Sequence, residues 1–380
     1  MKFSVIIVLV AAAIQTLLSE FLTGWVRKYN SPIYFTPSKS IPDMTGKVAI
    51  VTGSNTGIGY VTALELARNG ATVIVAARSE ARGLDAVAKI QKEIDDEKSN
   101  NVKFLPLDLA SLDNVEEFAK AFKGLKMDLH ILVLNAGVMK SPGMQFTGVP
   151  LQYGFETTMD GFEYHIGVNH IGHAYLTQLL LDNLKSTALK SSEGSRIVSV
   201  SSMAETSAPT PGIVFDQWVP TNGIMPDSYE DGEAYGQSKL ANLMYTNELS
   251  ANLNGTNVSA YSCHPGVIKT ELVRYMDPVM IEKQAEQGQV VAFLGKVFTQ
   301  IFNAALFDAE GGALTQLHLA TASKETLVNG AFYHPIGKKN ICCDFHSSLH
   351  RPESHNLNYY VSNLQEGLSL RCILRGAMIY

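Results

Sequence analysis

Cysteine is scarce. The four residues Cys263, Cys342, Cys343 and Cys372, in a chain of 380, are too few for a disulfide framework, and no CxxC spacing offers a metal or redox site. The thiols are expected to stay reduced. Charge is thin as well: 17% of residues are charged, the net charge is -6, and lysines and arginines are scattered. That leaves no basic surface for a phosphate backbone, so no nucleic-acid partner is expected. Internal repeats and low-complexity tracts are absent, and only Trp25 and Trp218 represent tryptophan. Apolar residues make up 46% of the chain, enough at this length for one large or two small cores.

Long apolar runs are rare, with one exception at the amino terminus. There, "MKFSVIIVLVAAAIQTLLSEFLTGWVRK" is apolar from Phe3 to Ile14, continues through Leu17, Leu18, Phe21 and Leu22, and closes on Arg27 and Lys28. Roughly 20 mostly apolar residues span a bilayer, so this segment is marginally long enough. Three readings stand: a membrane anchor, a cleaved signal peptide with Ala11 and Ala13 as its small residues, and an interfacial amphipathic helix. Arg27, Lys28, Lys39 and Lys47 follow the segment and only Lys2 precedes it, which orients the remainder toward the cytosol under the positive-inside rule. Two glycosylation patterns at Asn254 and Asn257 are accidental on that orientation.

From Lys47 onward, Val/Ile-rich runs alternate with segments of helical period. Strands are predicted at 47–53, 71–77, 101–109, 129–137, 195–202 and 257–266. Helices are predicted through "YVTALELARNG", to near Glu97, through "EYHIGVNHIGHAYLTQLLLDNL" as one long element, and around Tyr235. Continuous apolar strands separated by helices predict an α/β fold, a doubly wound parallel sheet of the Rossmann type in a single domain. Long irregular stretches at 138–160 and 203–233 follow strand ends, where open sheets place ligands.

Three patterns carry chemistry. In "TGSNTGIG", Gly53, Gly57 and Gly59 fall between a strand and a helix, where glycine permits a tight turn and lets the backbone approach a pyrophosphate. An NAD site wants an acidic residue at the end of the second strand, but Ala77 and Arg78 stand there; a guanidinium suits a phosphate, which predicts NADP, the alternative being a surface arginine at a helix start. Asp108 closes the third strand, suited either to the adenine end or to capping a helix. In "EAYGQSKLAN", Tyr235 and Lys239 at i, i+4 share one helix face. A cation about 4 Å from a phenol, at an effective dielectric near 20, contributes on the order of 4 kcal/mol, or up to about three pKa units before desolvation subtracts from it. The spacing alone is also that of a solvated pair on an ordinary helix; with Ser202 ending the preceding strand, the reading is a phenol tuned toward neutrality for proton transfer.

Gly53 to Gly59, "NAG" at Asn135, Ala136 and Gly137, Asn169 in "VNHIGH", Ser202 in "VSS", YxxxK at Tyr235 and Lys239, and Pro265-Gly266 occur in an order that resembles the short-chain dehydrogenase/reductase family. "DGFEYHIGVNHIGHAYLT" and "HPGVIKTEL" resemble its retinol dehydrogenase branch, near the WW-domain oxidoreductases and protochlorophyllide reductases. The resemblance implies Tyr235 as proton donor or acceptor, Lys239 on the nicotinamide ribose, Ser202 on the substrate oxygen and Asn169 in a proton relay to solvent. It also implies a cofactor site that takes in Ser54, Asn55, Ile58, Leu109, Val267 and Thr270. Leu134 stands where the family's first "NNAG" asparagine would be. A homodimer is a further expectation from relatives.

His170 and His173 read as packing and capping residues, since a three-residue spacing lacks a third metal ligand. Val290, Leu294, Val297 and Ile301, widened by Phe293, Phe298 and Phe302, form an apolar helical stripe that is a lid for a greasy substrate, a membrane-touching surface or part of the core.

The division expected is 1–26 as anchor or signal segment, 27–45 as a proline-containing linker, 46–339 as the NADP-binding domain and 340–380 as an extension without a clear period. The expectation is a membrane-associated oxidoreductase, in the endoplasmic reticulum with its catalytic domain cytosolic, acting on a lipophilic alcohol or its carbonyl. The alternative is a catalytically silent NADP-sensing adaptor.

Overall fold

The computed structural model describes residues 35–94, 101–139, 156–210, 212–219, 229–268, 307–335 and 337–339. The amino-terminal segment, the apolar stripe, Thr270, the three carboxyl-terminal cysteines and the 340–380 tail lie outside the described residues. Among the described residues no helix is long and apolar enough to cross a membrane.

A one-turn helix, Pro37–Ser40, leads into β1 (Val48–Thr52), α1 (Gly57–Arg68), β2 (Thr72–Ala77), α2 (Glu80–Glu93), β3 (Val102–Pro106), α3 (Leu112–Gly124) and β4 (Ile131–Leu134). A short α4 (Tyr164–Ile166) then passes through a π turn (Gly167–Ile171) into α5 (Gly172–Ala188). β5 (Ser195–Val200), α6 (Asp231–Asn252), β6 (Val258–Cys263), α7 (Ala309–Thr321), β7 (Phe332–His334) and β8 (Lys338–Lys339) complete the order. The sheet runs β3-β2-β1-β4-β5-β6-β7-β8; its first seven strands are parallel, and β8 pairs antiparallel with β7.

Because side chains alternate across a strand, each central strand supplies both cores. Ile50, Ile74, Leu132, Ile197 and Ala260 pack on one face with Phe118 and Phe122 of α3, Leu180 of α5 and Leu249 of α6. Ala49, Val51, Val73, Val75, Ile131 and Val133 pack on the other with Leu66 of α1, Ile90 of α2 and Leu317 of α7. Both faces are closed, so only the strand ends are open to a ligand. Helix starts follow local chemistry: Ser79 and Ser111 accept the N–H groups of Arg82 and Asn114 at the heads of α2 and α3.

Two sequence expectations are corrected. The helix expected to end near Glu97 ends at Glu93, and Ile94 is already extended. The long helix expected over 163–184 forms, but with a π turn inside it: the Gly172 N–H reaches Gly167 O, a five-residue span that widens the turn around Asn169. Two close approaches bracket the π turn. A Cβ at Gly167 would come 2.3 Å from Thr158 Cγ2, and one at Gly172 would come 2.6 Å from Leu109 O. Strands β7 and β8 were not legible beforehand, being three and two residues long.

Candidate active site

The carboxyl ends of β1, β4, β5 and β6 bring the predicted residues together. After β1 the chain turns through Gly53, whose φ is +66, and enters α1 at Gly57, with φ +58. A Cβ on Gly53 would lie 2.9 Å from Ala136 Cα, and one on Gly59 would lie 2.4 Å from Asn135 Nδ2 and 2.6 Å from Gly53 O. Only hydrogen fits at these points. Thr56 at the head of α1 makes no side-chain cap, so the first-turn N–H groups of the helix face the turn unclaimed by it. Ser54 is buried and donates to Val51 O (2.6 Å), Ile58 packs against the α7 side of the core, and Asn55 and Thr56 are partly or fully accessible.

The Thr52 hydroxyl joins this turn to the "NAG" segment. It accepts the N–H groups of Asn135 and Ala136, each at 2.9 Å, while Asn135 Nδ2 donates to Thr52 O (2.8 Å). Gln316 of α7 reaches Asn135 Oδ1 at 3.3 Å and Ile58 O at 3.4 Å. Neither Thr52 nor Gln316 was singled out from the sequence. Thr52 carried a signal, as the last strand residue before the glycines, whereas Gln316 lies 181 positions from its partner.

Arg78, at the end of β2, is exposed and donates to the Tyr164 hydroxyl (3.2 Å). Asp108 serves the turn into α3, accepting from Ala110 N–H at 3.0 Å, while its own N–H donates to Asn114 Oδ1 at 2.5 Å. Leu109 is buried against Gly172. Beyond β6, Pro265 and Gly266 are buried, Gly266 has φ +96, and Val267 O accepts the Phe307 N–H (2.9 Å).

Ser202, Tyr235, Lys239 and Asn169 meet at the centre. Ser202 accepts from Ala204 N–H at 3.1 Å, and its hydroxyl lies near enough to the Tyr235 phenol to pull the phenol's pKa down. Lys239 is buried; its Nζ donates to Val200 O (3.1 Å) and stands 5.6 Å from the centroid of the Tyr235 ring. A Cβ at Gly137 would sit 3.4 Å from both Lys239 Nζ and Asn169 Oδ1, which locates the "NAG" glycine against the same cluster. Asn169 is fully buried with its amide engaged at both ends: Oδ1 accepts Val138 N–H (2.7 Å), and Nδ2 donates to Val138 O and Ser238 Oγ, both at 3.0 Å. Ser238 in turn donates to Tyr235 O at 2.7 Å.

The electrostatics depart from the sequence expectation. Tyr235, only partly exposed, is pushed up to about 12 by burial, with the Ser202 hydroxyl pulling the other way. Lys239 is pushed down to about 8, again by burial first, with Cys263 opposing. Desolvation disfavours both charged forms, and the ammonium lies over the ring, hydrogen-bonded to the Val200 carbonyl. At neutral pH the phenol therefore holds its proton and the lysine remains mostly charged.

Glu163 and His165 flank this cluster. Glu163 is buried and accepts from His165 Nδ1 (2.8 Å), His165 N–H (3.0 Å), Ile166 N–H (2.8 Å) and the Tyr229 hydroxyl (2.9 Å). The His165 ring lies nearly perpendicular to that of Tyr235, centroids 6.0 Å apart. Burial raises the Glu163 carboxyl, but the His165 imidazole and the two backbone N–H groups outweigh it and hold it below the ordinary carboxylate range. His170 packs as expected, its Nδ1 3.1 Å from Asn242 Oδ1 and its ring between Trp218 and Tyr245. Asn257 places its amide on Ala188 O and Ser191 O, at 3.1 and 2.9 Å.

The 3-2-1-4-5-6-7 parallel order, the glycine turn at the switch between β1 and β4, and a serine, tyrosine and lysine beside it define an oxidoreductase of the dinucleotide-binding α/β class. The model of the short chain dehydrogenase family matches residues 47–214. An uncharacterized oxidoreductase of Schizosaccharomyces pombe is 40% identical over 306 residues, covering 79% of this chain and 80% of its own. Human retinol dehydrogenase 12 is 36% identical over 291 residues, covering 76% and 78%. The chloroplastic short-chain dehydrogenase TIC 32 B of Brassica napus is 42% identical over 229 residues, covering 60% and 65%. A crystal structure from Mycobacterium paratuberculosis superposes with a TM-score of 0.59 at 27% identity, covering 87% of this chain and 97% of that one. The chain belongs to the short-chain dehydrogenase family and is retinol dehydrogenase-like, which implies a nicotinamide cofactor. The residues present fit that group: a glycine turn, packed on Ala136 and Asn135 so closely that only hydrogen fits, ends at a helix start that the Thr56 side chain does not cap.

A carboxyl held below its ordinary pKa contributes stability that is present above its unfolded value and lost as pH falls through the folded one. Glu163→Gln is expected to destabilise the protein at pH 7 by about 2–3 kcal/mol, since buried donors lose a charged acceptor. In denaturant titrations the gap to wild type should narrow below about pH 4, near the ordinary range of a glutamate. A gap that stays constant on acidification would contradict this.

Proposed function

We propose that this protein is an NADP(H)-dependent oxidoreductase that interconverts a lipophilic alcohol and its aldehyde or ketone, with retinoids, steroids or other lipid carbonyls as the substrate class. The observation that carries the reading is the meeting of Ser202, Tyr235 and Lys239 beside the glycine turn. The nicotinamide supplies the hydride in reduction and accepts it in oxidation. In reduction, the Ser202 hydroxyl holds the substrate oxygen and Tyr235 gives that oxygen its phenolic proton. With its pKa at about 12, the phenol is a loaded donor at neutral pH. The phenolate left behind sits near the Lys239 ammonium, whose charge offsets part of the cost of ionising in a dry site. In oxidation the proton returns by the same path. Asn169 ties Val138 and Ser238 beneath this pair.

The exposed Arg78 guanidinium supports NADP, because a charged fork matches a ribose phosphate and leaves a bare hydroxyl unmatched. Relatives named retinol dehydrogenase 11 and 12 support a lipophilic substrate. We extend the reading to a membrane-associated protein, held at the endoplasmic reticulum by residues 1–26 with its catalytic domain, 46–339, in the cytosol and forming a homodimer; the apolar amino-terminal run supports the first part.

Tyr235→Phe is expected to lower kcat on retinoid, steroid or fatty aldehydes by roughly 100-fold or more while NADPH binding changes less than about 3-fold. Unchanged turnover would remove Tyr235 from the chemistry, and a wild type that binds NADPH but reduces no carbonyl would favour an adaptor. Arg78→Ala should weaken NADPH by roughly 10-fold or more and NADH by less than about 3-fold in fluorescence titrations. An equal loss for both cofactors would count against phosphate recognition.

A further inference from the structure

His173 is buried in the first turn of α5, and the proposed chemistry gives it no task. Its Nδ1 lies 3.0 Å from Asn169 O, and its Nε2 lies 2.9 Å from Thr52 Oγ1. The tautomer follows from counting protons. Thr52 Oγ1 already accepts two N–H groups, from Asn135 and Ala136, which fill its two lone pairs. Its single proton goes to His173 Nε2 at 2.9 Å in preference to Val133 O at 3.4 Å. Nε2 is then an acceptor, so Nδ1 carries the ring hydrogen and donates it to the Asn169 carbonyl. Burial pushes the imidazole down to about 3, with Asn169 opposing, so the ring stays neutral and the direction of both bonds is fixed at working pH.

The bond falls where the backbone is least regular. Asn169 sits in the π turn, where the Gly172 N–H bonds Gly167 O, one residue beyond its α-helical partner. An unbroken chain of hydrogen bonds results. It runs from the "NAG" backbone through Thr52 and His173 to the Asn169 peptide, and from the Asn169 amide through Ser238 to Tyr235 O. We propose that His173 is a positioning residue, whose Nδ1–H holds the Asn169 carbonyl and so sets the Asn169 amide against Val138 and Ser238 beneath the reacting phenol. This rests on the reading of Tyr235 as the acid/base group.

Two substitutions separate the two bonds. In His173→Asn the amide nitrogen takes the position of Nδ1 and keeps the donor to Asn169 O; in His173→Gln the longer side chain reaches toward Thr52 and loses that donor. His173→Asn is expected to keep kcat within about 3-fold, and His173→Gln to lose roughly 10- to 100-fold in kcat, because a small misplacement near the reacting atoms is costly. KM and NADPH affinity should move less than about 3-fold in either. Equal kcat in the two variants, or a His173→Gln loss that appears in KM alone, overturns the proposal. Tyr235→Phe is measured alongside: if it stays active, the acid/base reading fails, whereas an inactive Tyr235→Phe beside a fully active His173→Gln sinks only the role of His173. A measurement on the unaltered protein guards against variants that fail to fold. Nitrogen-15 NMR of the histidine rings should find His173 as the Nδ1–H tautomer, not titrating between about pH 5.5 and 8.5, and an Nε2–H tautomer or a titration in that window refutes the assignment.

Discussion

A parallel sheet covered on both faces can offer chemistry only at its ends, and every working residue here obeys that constraint. Ile50, Leu132 and Ile197 bury one face while Val51, Val133 and Val198 bury the other, so neither face is open to a polar ligand. The chain must turn at the carboxyl end of each strand, and those turns carry Gly53, Asn135, Ser202 and Pro265. Four segments distant in sequence converge because β1, β4, β5 and β6 lie side by side in register. The crevice opens where β1 meets β4, the point at which the order of strands reverses.

Within that crevice desolvation and charge pull in opposite directions, and in the protein alone desolvation prevails. Burial raises the Tyr235 phenol to about 12 and lowers the Lys239 ammonium to about 8. A site built this way holds its proton until something demands it. Under the proposed function that demand would be a developing negative oxygen on the substrate, with the nearby ammonium lowering the cost of the phenolate that remains. The same dryness makes each hydrogen bond around the pair consequential, since an unmatched polar group has no water to turn to. Asn169, Ser238 and Thr52 are each fully or almost fully buried and each is bonded, which keeps the pair at fixed geometry.

The turn at 163–165 binds parts that are otherwise unconnected. Glu163 takes the hydroxyl of Tyr229, Tyr164 meets Arg78 at the end of β2, and His165 stacks edgewise near Tyr235. Three successive residues at the head of one short helix thus reach the loop before α6, Arg78 and Tyr235. This tight turn at the head of the helix that carries Asn169 is the reason a buried carboxylate is tolerated there: it is matched by two backbone N–H groups, an imidazole and a phenol.

The alternation of apolar strands and helices, the glycines after β1 and the four-residue spacing of Tyr235 and Lys239 are local properties, and the sequence alone determined them. Periodicity and backbone freedom depend on near neighbours, so the strands, most of the helices, the nucleotide turn and the family were legible in advance. The tertiary structure decided the rest. No local pattern could reveal that Thr52 gathers the N–H groups of residues 83 and 84 positions away, or that Gln316 reaches Asn135 across 181. The π turn depends on how closely Gly167 and Gly172 approach Thr158 and Leu109. The pKa of Tyr235 departs from the spacing-based expectation for the same reason: spacing along a helix measures how near a charge is, but the cost of removing water from a phenol is set by everything that packs around it.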